Sequence, residues 1–238
     1  MTGDVRAIGF KNQVAKIQKG IMHIDECEGD FTPLGGAIAF DSLYYAKRFI
    51  KMGANPNKQD KDGLVPLCFC QTHEQVDLLV TAGANVNYQN NKTGQTPLYC
   101  ATYYGYPEAI EALLNYGADM HCQCLPRKAD CRASIVHAAP FVALRAYGPK
   151  IVDILRLYKK HGYNLDGVNG DGSLLHACVL RGDVVTMGWL LKQKIDKKIT
   201  NMHGRSALEQ VEYLFQTNEW AMIGYGCDNL KEMRRLLK

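Results

Sequence analysis

The chain repeats itself at a near-constant interval. Thr32-Pro33-Leu34, Val65-Pro66-Leu67 and Thr96-Pro97-Leu98 stand 33 and 31 residues apart. Each leads through an apolar run to Gly53-Ala54-Asn55, Gly83-Ala84-Asn85 or Gly117-Ala118-Asp119. A period of this length restricts the fold to stacked supersecondary units, because one such unit cannot bury its apolar face alone. Local chemistry shows what each unit contains. Thr-Pro begins a helix: the hydroxyl can cap, and proline fits the first turn, where its missing N–H has no partner. A glycine just after an apolar run suits the left-handed end of a helix. The Asn-x-Asn and Asp-Gly pieces then form turns.

These residues resemble the ankyrin repeat, a unit of about 33 residues with a T-P-L-H-x-A signature. The resemblance implies an all-α fold: an ankyrin-repeat solenoid of antiparallel helix pairs with short β-hairpin connections. It forms one domain over residues 1–238, with an N-terminal cap at 1–25. Units are expected at 28–59, 60–90, 91–121, 132–167 and 169–200, with a C-terminal cap at 201–238 and insertions at 122–131 and 140–150. In the N-terminal cap, Val14, Ile17 and Gly20 read as a truncated outer helix. Pro66 to Gly83 spans 17 residues where Pro97 to Gly117 spans 20, so the second pair should be clipped at its inter-helix turn, near Gln71 to Glu74. Ser134–Ala139 aligns with the helix start of the fourth unit and Ser173–Cys178 with that of the fifth. In the fifth unit Lys194-Ile195-Asp196 stands where the others have Gly-Ala. Leu230, Met233, Leu236 and Leu237 turn the last segment into a capping helix with its charges in solvent.

Composition narrows the function classes. The 28 Lys and Arg against 24 Asp and Glu leave a net charge of +4, far from the concentrated positive stripe of a dedicated nucleic-acid binder. No apolar run reaches the ~18 residues of a membrane span. The N-terminus, with Asp4, Lys11, Lys16 and Lys19, does not read as an export signal. Nine cysteines, an odd number, then imply free thiols in a reducing compartment. Cytoplasmic localisation is expected, in a host cytoplasm if the chain is a delivered effector, and the sequon Asn91-Lys92-Thr93 stays idle.

The resemblance further implies a module that binds a partner protein in a concave groove, with no catalysis and no cofactor. No nucleic acid or membrane partner is expected, and the chain should be monomeric alone. Hairpin-tip positions fall at Lys61, Asp62 and Leu64, at Lys92, Thr93 and Gln95, and at Met202, His203 and Arg205. First-helix surface positions fall at Ala39 and Phe40, and at Tyr103 and Tyr104. Tyr103-Tyr104 is the most informative pair, because tyrosine offers large contact area at low rotamer cost. Tyr99 is expected to fill the signature histidine slot of its unit. In the fourth-unit insertions, Arg127, Lys128 and Arg132 suit an acidic partner surface, and Phe141 and Tyr147 could anchor beside them.

Other chemistries have weaker support. His121, Cys122, Cys124, Cys131 and His137 could supply zinc ligands, but their spacing matches no common zinc module, and buried cysteine is ordinary packing. Cys68, Cys70 and His73, or His176 and Cys178, bring thiol and imidazole near each other in sequence. In the family, however, the His176 position ties down a hairpin and the Cys178 position packs as alanine. Asn57 and Asn87 occupy positions that an asparaginyl hydroxylase could modify, and a structural role in the turn is the simpler reading. The alternative function is a bacterial or viral effector, or an enzyme-complex subunit, whose activity lies in the insertions or in its partner.

Overall fold

The computed structural model describes residues 5–121, 123–124, 137–138, 151–169, 172–219 and 226–238. The chain divides into two compact units, Met1–Cys122 and Gln123–Lys238. The first contains α1 (Val5–Gln18), α2 (Pro33–Ala39), α3 (Leu43–Lys51), a 3-10 turn (Pro66–Phe69), α4 (His73–Thr81), α5 (Pro97–Tyr104) and α6 (Pro107–Asn115). The second contains α7 (Ile151–Lys160), α8 (Leu174–Arg181), α9 (Val184–Lys192), α10 (Ala207–Thr217) and α11 (Cys227–Leu237). Two short antiparallel hairpins pair β1 (Gln123–Cys124) with β2 (His137–Ala138) and β3 (Val168–Asn169) with β4 (Gly172–Ser173). Among the described residues no helix is long and apolar enough to cross a membrane.

The helix starts follow the local chemistry. Thr32 Oγ1 accepts from the Gly35 amide at 3.0 Å, and Thr96 Oγ1 from the Tyr99 amide at 3.1 Å. In the second pair Val65 replaces the threonine and has no oxygen to offer, and the segment after Pro66 winds into a 3-10 turn of only four residues. The missing residues therefore come out of the first helix, not the inter-helix turn near Gln71 to Glu74. Helix α4 keeps its nine residues, as do α3 and α6. Two glutamines make good the loss. Buried Gln75 donates through Nε2 to Ile38 O (3.3 Å) and Asp41 Oδ1 (2.9 Å), and its Oε1 accepts from the Gln71 amide at 2.7 Å. Gln71 Nε2 donates to Ala39 O at 3.1 Å. Side chains thus satisfy the carbonyls at the end of α2 that a longer neighbouring helix would have left to packing.

Within each unit the pairs bury a continuous apolar layer. In the first it runs through Leu34, Ile38, Phe49, Leu67, Leu79, Leu98, Ile110 and Leu113, all nearly inaccessible. In the second it includes Leu155, Tyr158, Leu174, Leu175, Met187, Leu190, Val211 and Leu214, closed by Leu230, Met233 and Leu237 of α11. The last helix is therefore a cap with its apolar side inward. At the other end α1 is a full helix of 14 residues that buries Phe10 and Val14, not a truncated one.

Asn and Asp side chains hold successive repeats in register. The Asn55 amide donates to Asp25 Oδ1 (2.9 Å), the Asn85 amide to Asn57 Oδ1 (2.7 Å), and the Asp119 amide to Asn87 Oδ1 (2.8 Å). Asn57 and Asn87 also donate through Nδ2 to Gly83 O (2.9 Å) and Gly117 O (3.2 Å). The Asp196 amide repeats the bond to Asp166 Oδ1 at 2.8 Å in the second unit. Both oxygen and nitrogen of Asn57 and Asn87 are thus engaged with backbone, as their turn role requires.

One expectation fails at the fourth repeat. His137 and Ala138 lie in β2, opposite Cys124 and Gln123, so these two residues do not form a first helical turn. The backbone pairing needs extended residues where the alignment placed a first helical turn. The insertions otherwise lie outside the described residues.

Asn87 offers a direct test of the register bonds. Asn87→Ala removes an acceptor and a donor that bridge two repeats and should destabilise the protein by about 1–2 kcal/mol. Asn87→Asp keeps the acceptor and should cost less. Urea unfolding at neutral pH measures both, and equal midpoints for parent and alanine variant would refute the bridge.

Candidate functional site

The hairpin tips of the first unit are held by hydrogen bonds within the chain. Asp60 Oδ1 accepts from the amides of Asp62 and Leu64, both at 2.9 Å, and Gly63 takes φ +79° between them. The next repeat braces this tip: Asn90 Nδ2 donates to Asp62 O at 2.9 Å and the Tyr88 hydroxyl to Gly63 O. A Cβ on Gly63 would come within 3.1 Å of Asn90 Nδ2, so the close approach needs glycine. Burial raises the Asp60 carboxyl above its ordinary range, although three backbone amides pull it down. Lys61 and Asp62 present exposed side chains on this tip, and Leu64 is half-buried.

At the second tip Asn90 Oδ1 accepts from the amides of Lys92 (2.8 Å) and Thr93 (3.3 Å). Lys92 is exposed and Thr93 half-buried. Gln95, read from the sequence as a contact position, is buried: 7% of its surface is accessible, and its Oε1 accepts from Thr93 Oγ1 at 3.1 Å. It supports the tip and does not face outward. At the third tip, in the second unit, Asn201 Oδ1 accepts from the amides of His203 (2.9 Å) and Arg205 (3.1 Å). Met202 and His203 are exposed there, while Arg205 lays its guanidinium over Tyr213, 3.7 Å from the ring centroid.

Beside the first two tips lies an aromatic, uncharged surface. Helix α2, the 3-10 turn and α5 contain no Lys, Arg, Asp or Glu. Phe40, just past α2, is 43% exposed and Tyr104 54% exposed; Tyr103 is half-buried. Tyr99 stacks parallel to Tyr103 at 6.3 Å, Tyr103 meets Tyr104 edge-on at 5.2 Å, and Tyr104 stacks on Tyr106 at 6.1 Å. Tyr104 therefore stands outward on a packed aromatic base. Sequence reasoning missed two members of this surface. Phe31 meets Phe69 edge-on at 5.2 Å and Phe40 at 5.8 Å, linking adjacent repeats. Its signal was a large apolar residue directly before the capping Thr32, the staple position of a helix start.

The thiol and imidazole groups serve packing. The Ser173 amide donates to His176 Nδ1 at 3.1 Å, so Nε2 carries the proton and donates to Arg205 O at 2.8 Å. This ties the hairpin down, as the family position implies. Burial pushes the thiols of Cys70 and Cys178 well above their ordinary range, which keeps them protonated and poorly nucleophilic. The six cysteines described are free. Among the described residues no group of three or more His, Cys, Asp or Glu could hold a metal. Of the proposed zinc set, His121 is exposed; the side chains of Cys122, Cys124, Cys131 and His137 lie outside the described residues, as do Arg127, Lys128, Arg132, Phe141 and Tyr147.

Burial also holds the His176 imidazole below its ordinary pKa, which the hydrogen bond to Arg205 only partly offsets. In the unfolded chain this histidine protonates first as pH falls. Its contribution to stability is therefore complete above the ordinary histidine range and lost as pH drops through that range. The thermal midpoint should fall between about pH 7.5 and 5.5, and fall less in His176→Gln, where the titrating group is gone. An equal fall in both proteins would assign the pH dependence elsewhere.

Comparison with known proteins places these repeats in context. The family model described as ankyrin repeats (3 copies) matches residues 19–124. A putative ankyrin repeat protein of fowlpox virus, FPV216, is 33% identical over 79 residues, covering 30% of this chain and 27% of that protein. The ankyrin repeat and KH domain-containing protein mask of Drosophila melanogaster is 41% identical over 68 residues, covering 29% of this chain and 2% of its own length. The chain thus spans about a quarter or less of the curated relatives it matches. The crystal structure of the ankyrin repeat domain of Bcl-3 superimposes with a TM-score of 0.69 over 98% of this chain and 95% of that one, at 17% identity. At that identity the likeness establishes the fold alone.

Proposed function

We propose that this chain, which is an ankyrin-repeat protein, captures a partner protein on the first-helix and hairpin-tip face of its first compact unit. Ankyrin repeats are general protein–protein interaction modules, and their fold is typically a scaffold without catalysis. The observation that carries the assignment to this face is Tyr104. It exposes 54% of its surface while Tyr103 and Tyr106 fix its ring, so an anchor is held ready at little cost in side-chain entropy. Phe40 gives a second apolar contact, and Lys61, Asp62, Leu64, Lys92 and Thr93 form a polar rim that sets orientation. Gln95 acts beneath the rim. In this reading the protein is not an enzyme and works in a reducing cytoplasm, where its free thiols persist.

A second reading, a virus-encoded or bacterial effector that engages a host protein, draws on the similarity to the fowlpox protein. It uses the same face and differs only in whose protein is captured.

The test is quantitative affinity capture from cell lysate with the intact chain, run beside Tyr103→Ala/Tyr104→Ala. The partner should be retained by the parent and reduced roughly tenfold or more by the variant. The variant should keep its helical spectrum and unfold within a few degrees of the parent, because Tyr104 is exposed and Tyr103 half-buried. Undiminished capture by a folded variant would refute this face.

A further inference from the structure

Charge is shared unevenly between the two compact units. Residues 1–122 contain 10 Lys and Arg against 13 Asp and Glu; residues 123–238 contain 18 against 11. In the second unit much of the excess collects where second helices end. Helix α7 ends in Lys159 and Lys160. Helix α9 ends in Lys192 and is followed by Lys194 and Lys198, and Lys238 follows α11. All six are exposed.

These ends lie side by side. Lys159 Nζ donates to Gln193 Oε1, just past α9, at 2.7 Å. Lys197 Nζ donates to the carbonyls of Leu236 and Leu237, the last residues of α11, both at 3.3 Å. The cations therefore form one row across three successive repeats. Two carboxylates share this edge, Asp166 and Asp196, and each accepts from a backbone amide, of Asp196 and Lys198 respectively. Among the described residues Lys192, Lys194 and Lys198 belong to no ion pair.

Helix electrostatics alone does not account for the row. Cations are favourable at a helix C-terminus; among the second helices of the first unit α3 ends with Arg48 and Lys51, whereas α4 and α6 end with no basic residue in the last turn. Lys194 is the second, independent observation. It takes φ +61° at the position where Gly53, Gly83, Gly117 and Gly162 take φ of +93°, +93°, +80° and +88°. Four repeats use the one residue that adopts this conformation freely. The fifth holds a lysine there under strain, in the middle of the row. Strain kept at a surface position points to use of the side chain that bears it.

We propose that this row is a docking surface for an acidic, Asp- and Glu-rich segment of a partner protein. Single ammonium groups on flexible stems, spaced by the repeat, suit carboxylates that can reach each one separately. A phosphate backbone, with a charge every ~1.7 Å of duplex, calls for a denser field and, for single strands, exposed rings on which bases stack. Trp189 of α9 is half-buried with Arg156 over its ring at 6.0 Å. A lipid surface calls for apolar side chains beside the cations. The exposed Val168, Leu180, Val185 and Met202 sit on hairpins, at the end of α8 and at the start of α9, and none stands at the end of a second helix. The row uses none of the residues of the tyrosine face and stands whether or not that face binds.

The intact chain is titrated against a fluorescent peptide of alternating Glu and Ser at about 0.1 M salt, where charges beyond about 10 Å are screened. Parallel arms use oligo-deoxythymidine and phosphatidylcholine vesicles containing phosphatidylserine. Lys159→Glu/Lys192→Glu/Lys198→Glu should weaken peptide binding roughly tenfold or more. Lys11→Glu/Lys51→Glu/Lys58→Glu, an equal charge change on the first unit, should leave it within about twofold. Lys194→Gly should weaken binding about two- to threefold and at the same time raise the unfolding midpoint, because it relaxes the backbone. That opposite response separates recognition from structure, and the variant does not threaten the fold. Equal losses in the two triple variants, tighter binding to the oligonucleotide or the vesicles, or a stabilised Lys194→Gly that binds as the parent does would each overturn the proposal.

Discussion

Every repeat depends on a neighbour, and the bond that sets the distance between neighbours is one side-chain oxygen accepting one backbone amide. Asp25, Asn57, Asn87 and Asp166 each reach the amide that opens the next turn, at 2.7–2.9 Å. The apolar layers supply the driving force, but they are non-directional and would tolerate a slide of one helix pair past another. The side-chain bond does not, because a hydrogen bond weakens steeply with misalignment. Where the donor Nδ2 also engages, at Asn57 and Asn87, the contact closes on both sides of the turn.

With register settled, the surfaces follow. Tips that would otherwise be loose loops become platforms, because Asp60, Asn90 and Asn201 gather successive amides and the following repeat braces the first of them. In the first unit α2, the 3-10 turn and α5 are short and uncharged, and the exposed rings of Phe40 and Tyr104 pack against neighbouring aromatic rings. The ends of second helices come out on another edge, and in the second compact unit lysines occupy it.

Departures from the regular unit carry the most information. Val65 in place of threonine coincides with a first helix reduced to a 3-10 turn, and Gln71 and Gln75 repair the result. Lys194 in place of glycine puts a lysine at φ +61°, where four other repeats have glycine. The first departure is compensated within the fold. The second lies in the middle of the proposed docking row.

Reading the chain alone was enough for whatever is decided within one turn of backbone. Thr32 and Thr96 as caps, proline at the helix start, and positive φ at Gly53, Gly83 and Gly117 depend on atoms a few residues apart, and all were legible, whereas the hairpin role of His176, whose Nε2 reaches Arg205 O, came from the resemblance. The period then implied stacking, since a short amphipathic pair has nowhere else to bury its apolar side. What the chain alone left open depends on how the chain packs. The deletion in the second repeat fell in the first helix, and Gln75 reaches back to Ile38. Gln95 turned inward to Thr93, and His137 and Ala138 paired with Cys124 and Gln123 while Pro140, the residue type that opens other first helices, lay just beyond. Lys159, Lys194 and Lys198 are scattered in sequence and become one row only when α7 and α9 lie side by side. Local chemistry is written in spacing, whereas burial and juxtaposition are properties of the packed chain and exist only once it has folded.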